Sequence, residues 1–486
     1  MADISADYIE HIQKQIGAEK LQQFLQYCQL PLRKSIRINT LKITHQEFFK
    51  RVEKYSWAFQ PIPWCTDGFW LTRSDEEESR LPLGNTLEHL TGLFYIQEAS
   101  SMLPAQALQY GAKKVQSSPT KILDMAAAPG SKTTHLSMIY NDKSLIVANE
   151  LSASRVKSLY ASLRRCGVTN YCLSHRDGND FGEIAQQQFD AVLLDAPCGG
   201  EGTVRKDPNA LRHWNFDNLN SLSHIQKNLI DSAFASLKPG GVLVYSTCTL
   251  SEEENQQVCE YLLRNKNCQV IPLTDLFAEA EKSLTKEGYL HILPQYYDSE
   301  GFFVACFKKQ VEKNFQSLSS KVQVSGNWQY ITESLQLSFK QYLALQFEFN
   351  LDALQGTLLL KKSHNYQEIW LFPENFSNEL LQSIKPKRSG IRLAEVREKK
   401  KHYQFRLTHE FIVAWGSEFS KNIFPATTAE ARSFMMGKDL DNQQHHLAAG
   451  ECIICNQGKP LGLAKVINNR IKNNITRELI VDKLNW

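Results

Sequence analysis

The stretch Lys121-Ile-Leu-Asp-Met-Ala-Ala-Ala-Pro-Gly-Ser-Lys-Thr133 decides the fold class. A short apolar run ends in an acid at Asp124, a loop of small residues follows, and a helix-sized stretch occupies 134–140. Such a loop lets a nucleotide-like ligand lie against bare backbone at strand ends, which is where open α/β sheets bind ligands. Two competing readings fail on spacing. A phosphate-binding P-loop needs adjacent Gly-Lys, and here Ser131 separates Gly130 from Lys132. The G-x-G-x-x-G dinucleotide fingerprint is also absent.

Working outward, short apolar runs recur with helix-sized gaps between them: Ser144-Leu-Ile-Val-Ala-Asn149, Asn170-Tyr-Cys-Leu-Ser174, Phe189-Asp-Ala-Val-Leu-Leu194 and Gly241-Val-Leu-Val-Tyr245. Strands alternating with helices predict a parallel, doubly wound sheet. Gly301-Phe-Phe-Val-Ala-Cys-Phe-Lys308 reads as one more strand, and 313–325 is polar enough for a linker, so the core is expected to close near residue 310.

The chain has 486 residues, 42% of them apolar, enough for about three domains. Basic residues outnumber acidic ones by only 55 to 52, so any nucleic-acid surface must be local. Eleven cysteines, an odd number, and the absence of a basic-then-apolar leader argue for free thiols in a reducing cytosol. The longest apolar runs are strand-sized, so no membrane partner is expected.

Both flanks carry local positive charge. Residues 4–28 place apolar side chains at mostly helical spacing, and Ser35-Ile-Arg-Ile-Asn-Thr40 alternates like a half-buried strand. Residues 33–54 hold seven basic and two acidic side chains, either a solvated face or an RNA contact. Residues 385–406 hold nine basic and two acidic ones, interleaved with Tyr403 and Phe405. Glu410-Phe-Ile-Val-Ala-Trp415, Glu451-Cys-Ile-Ile-Cys455 and Leu461-Gly-Leu-Ala-Lys-Val466 read as strands of a small β-rich terminal module, with a turn at Asn456-Gln-Gly-Lys459. The expected division is 1–95, 96–310, 311–383 and 384–486.

Four acids stand at or just beyond successive strand ends: Asp124, Glu150, Asp177 and Asp195. Glu150 falls 26 residues after Asp124, close to where an acid accepts hydrogen bonds from ribose hydroxyls. One such acid is common by chance, whereas four point to a ligand edge. The pattern fits S-adenosylmethionine, whose ribose and sulfonium both suit carboxylates.

Two cysteines join that edge, in Asp195-Ala-Pro-Cys198-Gly-Gly and Ser246-Thr-Cys248-Thr-Leu-Ser-Glu. Cytosine C5 is too weak a nucleophile to accept a methyl group directly; a thiolate adding at C6 turns the 5,6 bond into an enamine and solves this. Asp195 would hydrogen-bond the cytosine N3 and amino group. Ser251, with Glu254 three residues on, reads as the cap of the following helix. Gly199-Gly-Glu-Gly-Thr-Val-Arg-Lys206 reads as a turn or as a loop whose Arg205 and Lys206 grip RNA phosphate. Cys452-Ile-Ile-Cys455 has zinc-like spacing, but without a second pair it is read as a buried strand and no metal is expected.

Taken together, the 124–133 loop, Asp195-Ala-Pro-Cys-Gly199 and Ser246-Thr-Cys-Thr-Leu250 resemble the S-adenosylmethionine-dependent RNA cytosine-C5 methyltransferases of the Sun and nucleolar-protein type. Gly92-Leu-Phe-Tyr-Ile-Gln-Glu-Ala-Ser100 and Gly301-Phe-Phe-Val-Ala305 resemble the flanking motifs of that family, and matching spans about 33–308. The resemblance implies Cys248 as nucleophile and Cys198 in product release or as base. DNA cytosine-5 enzymes attack with the Pro-Cys cysteine instead, so this order of roles comes from the resemblance alone. It also implies cofactor contacts from Ala126, Ala127, Ala128, Pro129, Gly130, Ser131, Lys132, Glu150, Asp177 and Asp195. Two positions depart from the family pattern: Glu300 stands where Asp is usual, and His291 where many relatives have Arg.

Gly458-Lys-Pro-Leu-Gly-Leu-Ala-Lys465 followed by Asn469-Arg-Ile-Lys-Asn473 resembles a PUA-type RNA-binding module. The resemblance thus implies an α/β, doubly wound Rossmann-like methyltransferase core with an N-terminal RNA-binding α+β region and a C-terminal PUA-like β-rich module. The implied substrate is a decoding-region cytosine of 16S rRNA in the assembled small ribosomal subunit, modified by a cytoplasmic monomer. The alternatives are another RNA (tRNA or 23S rRNA), an amino methyltransferase, which commonly has Pro-Pro-Tyr where this chain has Ala196-Pro-Cys198, and a non-catalytic ribosome assembly factor.

Overall fold

The computed structural model describes residues 2–481 apart from 142, 312–327, 364, 377, 400–401 and 444. The 313–325 linker expected from composition lies outside the described residues. Among the described residues, no helix is long and apolar enough to cross a membrane.

Six strands carry the central sheet: β1 Lys121–Asp124, β2 Leu145–Asn149, β3 Tyr171–Ser174, β4 Phe189–Asp195, β5 Leu237–Thr247 and β6 Phe302–Lys309. Their order is β6-β5-β4-β1-β2-β3. Strands β1 to β5 run parallel, and β6 is antiparallel to β5. The near-continuous apolar runs follow from burial on both faces. Leu123, Val147, Val192 and Leu243 pack on one face with Ile230 and Ala233 of helix Phe216–Ser236. Ile122, Ile146, Leu193 and Val244 pack on the other with Leu103, Leu108 and Leu136. This is the period-2 alternation of a pleated strand. The chain reverses its winding between β1 and β4, which opens a crevice at their carboxyl ends.

The N-terminal region has two helices, Ala6–Ile16 and Ala18–Cys28, and a four-stranded antiparallel sheet with Ser35–Ile38 inside it. The alternation expected for Ser35–Ile38 is absent, because the whole strand is buried. Arg37 sits inward, donating to Gln97, to Ser131 O at 3.0 Å and to Thr134 Oγ1 at 2.7 Å. The basic residues of 33–54 are largely spent in the same way. Arg33 pairs with Asp298 at 2.9 Å, Lys34 with Glu78 at 2.7 Å, and buried Arg51 with Glu88 at 3.2 Å, while Lys42 Nζ donates to Thr91 O at 2.6 Å. Each of these side chains is bonded to an acid or a polar oxygen distant in sequence, so most of this basic stretch braces the fold instead of forming a cationic face.

The expected 383/384 boundary falls inside a single sheet. Gln367–Phe372 pairs with Ile391–Lys399, which pairs with His402–Leu407, so the basic 385–406 stretch supplies the last two strands, one of them the edge, to the sheet of the middle domain. Arg388–Ser389 crosses to the core and pairs with β3. Charge marks composition and does not reveal which strand a segment joins. The expected strand at 410–415 is instead the helix His409–Trp415, with Thr408 Oγ1 accepting from Phe411 N at 3.3 Å. A short apolar run does not by itself separate a buried helix from a strand. Gly450–Asn456 and Lys459–Ile467 form the expected hairpin of a last, five-stranded sheet, with Cys452 and Cys455 buried in the first strand.

Candidate active site

Because β1, β2, β3, β4 and β5 are parallel, the segments following them meet at one edge. Beyond β1, Gly130 adopts φ +104° and starts helix Ser131–Tyr140. The loop is held shut by Ala127 N to Asn149 O and Gly130 N to Ala127 O, both 2.7 Å. Glu150, beyond β2, turns its carboxylate onto that loop: Oε2 accepts from Ala128 N at 3.3 Å and Oε1 from Ser152 N at 2.9 Å. Asn149, not anticipated from sequence, donates to Met125 O at 3.1 Å and to Arg176 O at 3.0 Å, tying the ends of β1, β2 and β3 together. Asp177 accepts from Asn179 N at 2.9 Å and caps a short turn.

These residues fit S-adenosylmethionine. Asp124 is fully buried; its Oδ2 accepts from Thr133 Oγ1 at 2.6 Å, while among the described residues Oδ1 has no partner. An orphaned buried acceptor at the strand end suits the ammonium of an amino-acid moiety. Glu150 brings the carboxylate that ribose hydroxyls require.

The second half of the site is the thiol pair. Cys198 Sγ and Cys248 Sγ lie 3.2 Å apart, both half-buried and both free thiols. The contact with Cys248, then burial, pushes the Cys198 thiol well above its usual range. Asp195, at the end of β4, accepts from Ser246 Oγ at 2.7 Å and from Lys132 Nζ at 2.5 Å. Burial works against the Lys132 ammonium, yet Asp195 outweighs it and raises the lysine above its ordinary pKa. Lys132, expected in the cofactor loop, therefore turns toward the thiol side of the crevice.

Two buried carboxylates hold the cysteine loops, and sequence spacing misassigned one and missed the other. Glu254 does not close a capping box with Ser251, since the next helix begins at Gln256. Its Oε2 accepts from Gly199 N at 3.0 Å and Gln226 Nε2 at 2.6 Å, and its Oε1 from Thr249 Oγ1 at 3.1 Å. Glu201 answers from the other loop, accepting from Leu250 N at 3.0 Å, Ser251 N at 2.8 Å and Ser251 Oγ at 2.6 Å. Gly202 N donates to Cys248 O at 2.9 Å; a Cβ there would sit 2.1 Å from Gly301 O, so glycine is required. The sequence places these acids in a Gly-Glu-Gly turn and an acidic run, and neither context signals a role. Arg205 is equally committed, donating to Pro31 O at 2.8 Å and pairing with Asp298 at 2.7 Å, so it does not reach for phosphate. Burial draws His291 down to about 4, so a neutral imidazole fills the place where an arginine is common.

Three family descriptions match the chain: the N-terminal domain of 16S rRNA methyltransferase RsmF over 4–99, 16S rRNA methyltransferase RsmB/F over 114–308, and the methyltransferase RsmF PUA domain over 421–481. A Shewanella baltica protein named ribosomal RNA small subunit methyltransferase F is 44% identical over 100% of this chain and 98% of its own length. The chain belongs to the RsmF branch of the RsmB/F methyltransferase family. An Aeromonas salmonicida protein of the same name is 44% identical over 98% of this chain and 97% of its own length. Among solved structures, a Pyrococcus horikoshii methyltransferase homolog is similar at 34% identity and TM-score 0.54, over 63% of this chain and 95% of that one. Pyrococcus horikoshii NSun6, solved with SFG, shares the fold at 22% identity and TM-score 0.55, over 64% of this chain and 100% of that one. As a member of the RsmB/F family the chain is an S-adenosylmethionine-dependent methyltransferase, and its RsmF-type ends flank a Rossmann-like core.

Proposed function

We propose that this chain methylates C5 of a decoding-region cytosine in 16S rRNA of the assembled small ribosomal subunit, through a covalent bond between Cys248 and C6. It acts as a cytoplasmic monomer. The observation that carries this reading is the 3.2 Å thiol pair beside the Lys132–Asp195 ion pair at the carboxyl edge of the sheet. The small-subunit names of its full-length relatives and the PUA match at 421–481 support the RNA substrate. Transfer to an exocyclic amino group would need neither thiol.

Bound S-adenosylmethionine would supply the electrophilic methyl group, held by Ala126 to Ser131, Glu150 and Asp177. Cys248 sulfur forms a bond to C6 while the 5,6 π electrons make C5 nucleophilic. Asp195 and Lys132 lie where they meet the charge that develops around N3 and the amino group. Once C5 is methylated, a base removes its proton, the 5,6 double bond re-forms and Cys248 leaves as thiolate. Cys198 suits that second half. Cys198 Sγ, 3.2 Å from the sulfur that would carry the adduct, is placed to take that proton.

The test is incubation with S-adenosylmethionine and small-subunit rRNA containing 5-fluorocytosine, whose fluorine cannot leave as a proton. A denaturation-resistant protein–RNA band is expected, absent from Cys248→Ala. A band that survives in Cys248→Ala would move the nucleophile to Cys198.

A further inference from the structure

We infer that Gln226 and Glu254 are positioning residues for Cys198, setting the thiol for product release without touching substrate. This rests on the assignment of Cys198 to release. The two peptides flanking Cys198 are held by this one pair of side chains. Gln226 Nε2 donates to Pro197 O at 3.0 Å on one side, and Gly199 N donates to Glu254 Oε2 at 3.0 Å on the other. The pair is joined, Gln226 Nε2 to Glu254 Oε2 at 2.6 Å. Both side chains are fully buried, so water does not substitute for either.

The clamp also fixes the distance between the thiols. Glu254 Oε1 accepts from Thr249 Oγ1 at 3.1 Å, so one carboxylate grips the residue after each cysteine. Cys248 has a separate anchor. Gly202 N holds its carbonyl at 2.9 Å, and Glu201 holds Leu250 and Ser251. Loss of the Gln226–Glu254 pair therefore frees the two peptides flanking Cys198, while the bonds from Gly202 N and Glu201, which join the two loops further along the chain, keep Cys248 supported. Attack survives and release fails, and a misplacement on the 1 Å scale costs on the order of 100-fold in rate.

The experiment uses the full chain, S-adenosylmethionine and small-subunit rRNA with ordinary cytosine. It measures multiple turnover, single-turnover methyl transfer and covalent protein–RNA adduct on a denaturing gel. Cys198→Ala, the reference, is expected to accumulate methylated adduct and stop turning over. Gln226→Ala and Glu254→Ala should behave alike: turnover falls by about tenfold to 100-fold, single-turnover transfer stays within a few-fold of wild type, and adduct builds up. Glu254→Gln keeps an acceptor for Gly199 N–H and should recover much of the turnover.

Should Glu254→Ala fail to fold, Gln226→Ala decides. Loss of adduct and turnover in equal proportion, or wild-type turnover in Gln226→Ala, overturns the inference. A Cys198→Ala protein that releases product normally overturns the underlying assignment instead. Trapping by Cys198→Ala alone overturns only the positioning role.

Discussion

Cys198 Sγ stands 3.2 Å from Cys248 Sγ, too far for the roughly 2.05 Å bond of a disulfide and close enough to become one with a small rotation. A dithiol oxidant such as diamide should take two electrons and two protons from the pair, link the sulfurs and remove the nucleophile. Methylation is expected to fall to background and return with dithiothreitol, while intact mass shows the loss of two hydrogens. An unchanged mass under conditions that oxidise model dithiols would contradict the contact.

Lys132 joins the helix start to the base side of the crevice through Asp195 at 2.5 Å. Lys132→Met and Asp195→Asn should lower single-turnover transfer by about 100-fold to 1000-fold, as for loss of a preorganised electrostatic partner. Cofactor affinity, measured by calorimetry, should change far less. Glu150→Ala should do the reverse. Equal losses of affinity and rate in Lys132→Met would return this lysine to the cofactor loop.

Arg51, on helix His45–Val52, and Glu88 are both buried, and Arg51 also donates to Asn456 Oδ1 at 2.9 Å, tying the N-terminal region to the C-terminal hairpin. Arg51→Ala leaves a carboxylate buried with weaker compensation and should cost about 3–5 kcal/mol in denaturant unfolding. Exposed Lys50→Ala in the same helix should change stability by less than about 0.5 kcal/mol. Equal small effects would mean that the basic stretch is a solvated face after all.

Glu300 is 4% exposed, and burial, then Glu98, pushes its carboxyl up to about 8. The unfolded chain releases that proton near pH 4.3. Between those values the folded state holds more protons than the unfolded state, so Glu300 makes the fold progressively less stable as pH rises. Glu300→Gln cannot ionise. Its Tm relative to wild type should therefore climb by a few °C from roughly pH 5 to pH 8. A pH-independent difference would show that Glu300 does not titrate in this window.

Much of the core was legible in the sequence because its information is local. Residues 121–124, 145–149, 171–174 and 189–195 are apolar runs of strand length, and the structure makes each a strand of the central sheet within one or two residues of expectation. The acids and cysteines that follow those strands reach one edge because parallel strands all end on the same side. The 410–415 segment is an apolar run too short to tell helix from strand by periodicity, and its local helix signal is the N-cap Thr408 just ahead of it. The basic 33–54 run shows where local information fails, because partners such as Glu88, Asp298 and Asn456 are far away in the chain.

Chain order and residue type were enough for the doubly wound core, the strand-end position of Cys198, Cys248, Asp195 and Glu150, and the chemistry those residue types can perform. Tertiary structure alone decided that the sulfurs come within 3.2 Å, that Lys132 turns to Asp195, and that Glu201 and Glu254 each brace the other cysteine's loop. Periodicity and motif spacing record what a residue's neighbours in the chain require. A buried carboxylate is placed by donors that only folding brings near, and desolvation makes leaving any of them unpaired costly.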